Sequence, residues 1–270
     1  MESVKVLYIS QEITPYLPES EMSVIARNLP QGIQERGREI RTFMPKFGCI
    51  NERRNQLHEV IRLSGMNLII NDSDHPLIIK VASIQSARMQ VYFIDNEDYF
   101  QRKALFSDEN GTFFADNDER CIFFCRGVIE TVKKLRWSPD IIHCHGWFTS
   151  LIPIYIKKSF IEEPLFTNSK IIFSIYDNPF PNHLNKSFSE KLIYEGIENE
   201  DVKILKDPTY NNLIKFAVQY SDGVIIGSEN VSKEIIGFIN KHKIPILGYQ
   251  LQESFVDEYS VFYSSILEKN

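Results

Sequence analysis

His145 and Trp147 stand two residues apart at the end of the run Pro139-Asp140-Ile141-Ile142-His143-Cys144-His145-Gly146-Trp147. An imidazole there can hydrogen-bond a sugar hydroxyl, and an indole can shelve the apolar face of a sugar ring. A purely structural reading stays open beside this one, with His143 a satisfied core residue and Trp147 a packing anchor. A second group, Asp116-Asn117-Asp118-Glu119-Arg120, follows Phe113-Phe114-Ala115 and offers Asp116 and Asn117 as contacts for hydroxyl groups. Asp116 with Glu119 three residues on also resembles a capping box, whose carboxylates favour a helix N-terminus. A third carboxylate cluster, Asp95-Asn96-Glu97-Asp98, fits either a hydroxyl-accepting strand end or a solvated loop. Cys49, Cys121, Cys125 and Cys144 form no CxxC pair. Strand alternation points Cys144 away from both neighbouring histidines, and no ligand set has zinc-like spacing, so no metal is expected.

The elements that must position these groups alternate. Val4–Ser10 is β-rich and apolar and leads through a loop holding Pro15 and Pro18 into a helical pattern, with Met22, Ile25, Leu29 and Ile33 on one face. That pattern stops near Gly37, and Glu39–Met44 reads extended, giving a βαβ unit with a right-handed crossover. Three β-favouring stretches, Leu57–Leu63, Leu77–Ile84 and Met89–Ile94, predict a meander inserted beside the parallel sheet. Next come helix Asn117–Leu135, strand Asp140–His143, helix Phe148–Lys158, strand Lys170–Tyr176, helix Thr209–Tyr220, strand Gly223–Gly227, helix Val231–Lys241 and strand Ile244–Leu247. Such a string implies an α/β fold, a doubly wound, Rossmann-like parallel sheet with helices on both faces. The polar stretch from Asn178 to Asp207 is a surface loop with one short helix. Glu253–Glu268 is amphipathic, and its stripe of Phe255, Tyr259, Phe262, Tyr263 and Ile266 must pack on something. No composition shift marks a boundary, so residues 1–270 are read as one domain, with 253–270 as its packed C-terminal helix.

Composition bounds the function. Of 270 residues, 43% are apolar, enough for a substantial core, and the formal charge of −6 opposes a nucleic-acid or anionic-membrane surface. The N-terminus does not read as a secretory signal and no stretch is long enough to span a bilayer, so a cytoplasmic protein with reduced thiols is expected. In a doubly wound sheet, ligands bind beyond the carboxyl ends of the strands. The first strand-to-helix loop, Gln11–Glu21, has no glycine and carries carboxylates, which argues against a dinucleotide cofactor and against a P-loop. No cofactor is expected.

In this order, Ser10–Pro30, Phe93–Arg102, Asp116–Arg120, Pro139–Trp147, Lys170–Asn178 and the strand Ser221–Ser228 with Glu234 resemble the N-terminal domain of bacterial glycogen synthase and plant starch synthase. The match runs from Val4 to about Leu247. It implies one half of a two-Rossmann-domain, GT-B-type retaining glucosyltransferase that extends an α-1,4-glucan from ADP-glucose. This half carries the acceptor side and part of the glucosyl pocket, without a metal. By that resemblance His145 serves as hydroxyl donor or acceptor, Trp147 as a wall, and Asp116, with Asn117 beside it, as acceptor for sugar hydroxyls. The partner ligand would be an α-glucan, glycogen or a maltooligosaccharide. Three departures stand out. The family's Lys-x-Gly-Gly loop reads Pro18, Ser20 and Glu21; His-x-His-Asp-Trp-His reads His143-Cys144-His145-Gly146-Trp147-Phe148; and His-Asn after the next strand reads Tyr176-Asp177. The family's second, donor-binding domain has no counterpart, which suggests an internal deletion near Gly248–Glu253 that kept the returning helix. Such a chain would need a separately encoded donor-domain protein for transfer, or would serve as a non-catalytic α-glucan-binding or regulatory module.

Overall fold

A computed structural model describes residues 3–251 and 253–268. Strand β1 (Lys5–Ser10) is buried at every position after its first, as a strand covered on both faces must be. Helix α1 (Glu21–Glu35) returns the chain to β2 (Glu39–Pro45). Beyond it lie β3 (His58–Glu59), β4 (Met66–Ile70), β5 (Ser73–Ile84) and β6 (Met89–Asp95). A single turn, α2 (Glu97–Phe100), and the long α3 (Asn117–Leu135) lead to β7 (Ile141–His145). After the short α4 (Ile152–Ile154) come β8 (Lys170–Ile175), α5 (Phe188–Lys191), α6 (Tyr210–Gln219), β9 (Gly223–Ile226), α7 (Lys233–Lys241), β10 (Ile246–Leu247) and α8 (Phe255–Leu267).

The strands lie in the order β10-β9-β8-β7-β1-β2-β6-β5-β3, with β4 paired to β5. Every pair from β10 to β6 is parallel, and the pairs made by β5 are antiparallel. The expected meander is therefore partly corrected. Its last stretch, Met89–Ile94, belongs to the parallel sheet as β6, and Leu57–Leu63 contributes only the two residues of β3. Met66–Ile70, which the β-propensity pattern did not mark, forms a hairpin with β5 through Asn71 and Asp72. Both turn residues have positive φ, 47° and 63°, the conformation of a two-residue hairpin turn that matches strand twist.

The expected helix over 148–158 is also broken. Trp147–Thr149 is a 3-10 turn, Ile152–Ile154 one α turn, and Tyr155–Ser159 a π turn closed by Phe160 N–H donating to the Tyr155 carbonyl at 2.9 Å. Pro153 has no N–H for a regular ladder, and β-branched Ile152, Ile154 and Ile156 add little helical preference.

Strand alternation sorts the core into two clusters. Leu7, Ile9, Ile142 and Cys144 face the side covered by α3, α6 and α7, while Val6, Tyr8 and Ile141 face α1 and α8. On α8, the expected stripe of Phe255, Tyr259, Phe262, Tyr263 and Ile266 is buried on this second face. Gly223 lets α8 approach, since a Cβ there would lie 3.0 Å from Ile266 and 3.1 Å from Phe262. Asp257 of α8 pairs with Arg36, and Ser264 accepts from Arg38 at 3.0 Å. Among the described residues, no helix is long and apolar enough to cross a membrane.

Candidate functional site

Crossovers leave β1 in opposite directions: β2 lies on one side and β7, reached through α3, on the other. The crevice beyond their carboxyl ends is where such a sheet can receive a ligand. Gln11, the first residue after β1, stitches the two strands together. Its N–H donates to the His145 carbonyl at 3.1 Å, and its Oε1 accepts the Phe148 N–H at 3.3 Å. Gly146 turns the chain between them at φ 84°, where a Cβ would lie 2.7 Å from Met22 and 3.0 Å from Gln11 Oε1. That turn sends Trp147 into the crevice.

The crevice encloses about 260 Å³. The Trp147 ring lies 4.8 Å from Phe106 and 4.9 Å from Phe180, and Phe113 stacks on Phe180 at 5.4 Å. Among these aromatic walls stand the polar groups of Gln11, Glu12, Ser107 and Asn178. Asn178 Nδ2 is buried and has no hydrogen-bond partner among the described residues. An aromatic wall with an idle amide donor suits a molecule that is apolar on one face and rich in hydroxyls at its edge.

His145 is placed differently from the expectation that β7 delivers it to the ligand edge. It points with His143 to the α1 and α8 side, is fully buried, and does not line the crevice. Its Nδ1 bonds the Tyr176 hydroxyl at 2.8 Å, and its Nε2 has no partner among the described residues. Tyr176 is pinned in turn, since a Cβ on Gly227 would lie 2.6 Å from its ring. Burial depresses the His145 pKa to about 3, and burial followed by the His145 neighbour pushes His143 well down. Both are therefore neutral near pH 7. His143 has the satisfied core role, with Nδ1 2.6 Å from the Tyr263 hydroxyl and Nε2 2.7 Å from Ser174.

The start of α3 also departs from expectation. Asp116 makes no side-chain capping bond; both its oxygens face Arg102, at 2.9 and 2.6 Å, an ion pair closed by the intervening loop. Asn117 is buried and spent on structure: its Nδ2 donates to the Phe106 carbonyl at 2.8 Å and its Oδ1 accepts Arg120 Nη1 at 2.6 Å. Arg120, also fully buried, holds the Tyr99 carbonyl at 2.8 Å and the Leu105 carbonyl at 2.7 Å. Burial lowers its pKa to about 9, which leaves the guanidinium charged at neutral pH. Asn117 and Arg120 thus fix the loop that presents Phe106 to the crevice, and neither Asp116 nor Asn117 lines it. The Asp95 cluster is likewise structural: Asp95 pairs with Lys80 at 2.8 Å, and Asn96 caps α2.

Ser20 and Glu21 border a second concavity of about 450 Å³, lined also by Glu19, Tyr249 and Phe255, while the Pro18 carbonyl accepts the Ser23 hydroxyl at 3.1 Å. Ser20 caps α1, accepting the Ser23 N–H at 3.0 Å and donating to Glu12 at 2.8 Å. Glu21 receives the Ser228 hydroxyl. The N-terminus of α1 is therefore already occupied by this chain's own carboxylates, which oppose an incoming phosphate.

The starch synthase catalytic domain profile matches residues 5–245 of this sequence, nearly the whole sheet just described. The chain belongs to the starch synthase catalytic domain family. Among curated relatives, the glycogen synthase of Chlorobium limicola is 34% identical over 234 residues, covering 86% of this chain and 47% of that protein. The glycogen synthase of Chlorobium luteolum is 35% identical over 217 residues, covering 73% and 44%. The chain thus spans about half the length of the curated relatives it matches. Among solved structures, the catalytic domain of Starch Synthase IV from Arabidopsis thaliana, bound to ADP and acarbose, superposes with a TM-score of 0.73 at 17% identity, covering 94% of this chain and 53% of that one. The architecture is accordingly that of a GT-B glycosyltransferase domain, and the chain is glycogen or starch synthase-like. Within this starch synthase catalytic domain, Phe106, Phe180 and Asn178 lie in irregular loops where no periodicity marks them. The one signal available was that Asn178 follows closely on the end of β8.

Proposed function

We propose that this chain provides the acceptor side of α-1,4-glucan synthesis, binding an α-glucan in the crevice beyond β1 and β7. The observation that carries this reading is the aromatic enclosure of Trp147, Phe106 and Phe180 around the unpartnered Asn178 amide. Glucosyl transfer, the reaction implied by glycogen synthase relatives, then depends on a donor half that supplies cations for the nucleotide phosphates, because the α1 N-terminus here presents Glu12, Glu19 and Glu21. The donor half is a separately encoded protein in this reading, and the site is cytoplasmic, in keeping with four free cysteines. A non-catalytic α-glucan-binding or regulatory role shares the same crevice and differs only in lacking that partner. In either role Trp147 is the wall, and the Nδ1 of His145 is available to a hydroxyl only after Tyr176 moves. Asp116 acts through Arg102 on the loop rather than on the sugar.

The test is retardation of the protein in native gels containing glycogen, together with titration of maltohexaose. Asn178→Ala should fold normally and weaken binding about tenfold, the worth of one hydrogen bond to a buried polar group. Wild-type mobility unaffected by glycogen would sink the proposal. Adding ADP-glucose and cell extract and following glucose incorporation separates the two roles.

A further inference from the structure

A separate cavity of about 350 Å³ opens on the flank of the molecule, between the β4–β5 hairpin, α3, the π turn after α4 and the segment around α5. It shares no lining residue with the crevice beyond β1 and β7. On one wall lies Arg126, only 8% exposed, with its guanidinium 4.0 Å from the centroid of the Tyr194 ring and Nη1 donating to the Ile69 carbonyl at 2.6 Å. Among the described residues, no carboxylate forms an ion pair with it. The other cation lining this space, Lys191, is already neutralised by Asp118 and Glu119, each at 2.7 Å. Tyr155 also lines the cavity; it is fully buried, and its hydroxyl has no hydrogen-bond partner among the described residues.

A buried guanidinium without a counter-ion and a buried phenol without a partner are each costly. Side by side on one cavity, they describe the two halves of an oxyanion contact: a planar charged donor and a neutral O–H donor. We propose that this cavity is a binding site for a small ligand bearing one phosphate group, held by Arg126 and Tyr155. The space exceeds that of an inorganic phosphate, and Asn71, Asp72 and Glu190 at its rim offer donors and acceptors to a hydroxylated body. A phosphate monoester of a small polyol therefore fits better than free phosphate, although both present the same group to the arginine.

The experiment is isothermal titration of the intact chain at low ionic strength with inorganic phosphate and, separately, ribose 5-phosphate. One site is expected, with the monoester tighter than the free ion; equal affinity would assign the site to free phosphate. Tyr155→Phe removes a hydroxyl that bonds nothing among the described residues, so it should fold as well as wild type and weaken binding about tenfold. Arg126→Met should abolish binding. Glycogen retardation should be unchanged in Tyr155→Phe, which keeps this test separate from that of the crevice. Absence of binding by either probe, or identical titrations for wild type and Tyr155→Phe, would overturn the assignment.

Discussion

At the scale of single residues, the paired histidines of β7 tie stability to protonation. His145, depressed to about 3 by burial, and His143, pushed well down, are neutral in the fold, whereas unfolded histidines take up protons near pH 6.5. The unfolded state thus binds more protons below that value. Stability is complete above pH 6.5 and is lost as pH falls toward the folded values, by up to about 1.4 kcal/mol per pH unit for each histidine. Urea unfolding between pH 7 and pH 5 should report this slope, and His145→Asn should reduce it by about one proton; an unaltered slope would show that the ring titrates normally in the fold. Trp147 is a different kind of residue, since it both walls the crevice and fills the core at 2% exposure. Trp147→Ala should cost about 3–5 kcal/mol as well as glucan affinity, so Asn178→Ala is the cleaner probe. Arg120→Met tests positioning: it frees the loop carrying Phe106, and it should weaken maltohexaose binding while phosphate titration on the flank stays the same.

Among the elements, α8 carries the clearest consequence. Its five buried side chains each contribute roughly 1.5–3 kcal/mol of transfer free energy, offset in part by ordering the helix. Ending the chain before Glu253 would uncover Tyr8, Ile141 and Ile225 on the second face of the sheet. Calorimetry of that truncation should record a melting temperature lower by more than 10 °C, or aggregation, and unchanged melting would mean that α8 does not hold this face. The helix was legible because its stripe repeats every three or four residues, whereas α3, which the sequence bounded correctly, carries no such stripe and is buried almost continuously from Asn117 to Val132. β4 was not: its buried positions are only Leu68 and Ile70, Ile69 faces outward at 60% exposure, and the Asn71-Asp72 turn lacks the usual glycine. Side-chain partners across loops were less legible still. Nothing in the spacing of Asp116 reveals that Arg102 reaches back to take both its oxygens. The crevice was half readable, with Trp147 marked by its place after β7 and its neighbours Phe106 and Phe180 hidden in stretches without period.

For the whole molecule, charge distribution decides what chemistry the half-site supports. Carboxylates crowd the α1 N-terminus, and the formal charge of −6 adds no compensating field. Titration of ADP into the Arg126→Met chain, which lacks the flank contact, should therefore show no binding at millimolar concentration, and adding Glu12→Gln and Glu21→Gln should raise the affinity. Tight ADP binding by Arg126→Met would contradict the division between acceptor and donor halves. Distant parts of the sheet also govern one another. Because Gly227 on the far side of β8 leaves room for the phenol of Tyr176, the size of a residue after β9 sets whether an imidazole two strands away is veiled or bare. A methyl group added by Gly227→Ala would swing that veil aside, so a change that touches no sugar would hand the neighbouring strand a new hydrogen-bonding tooth.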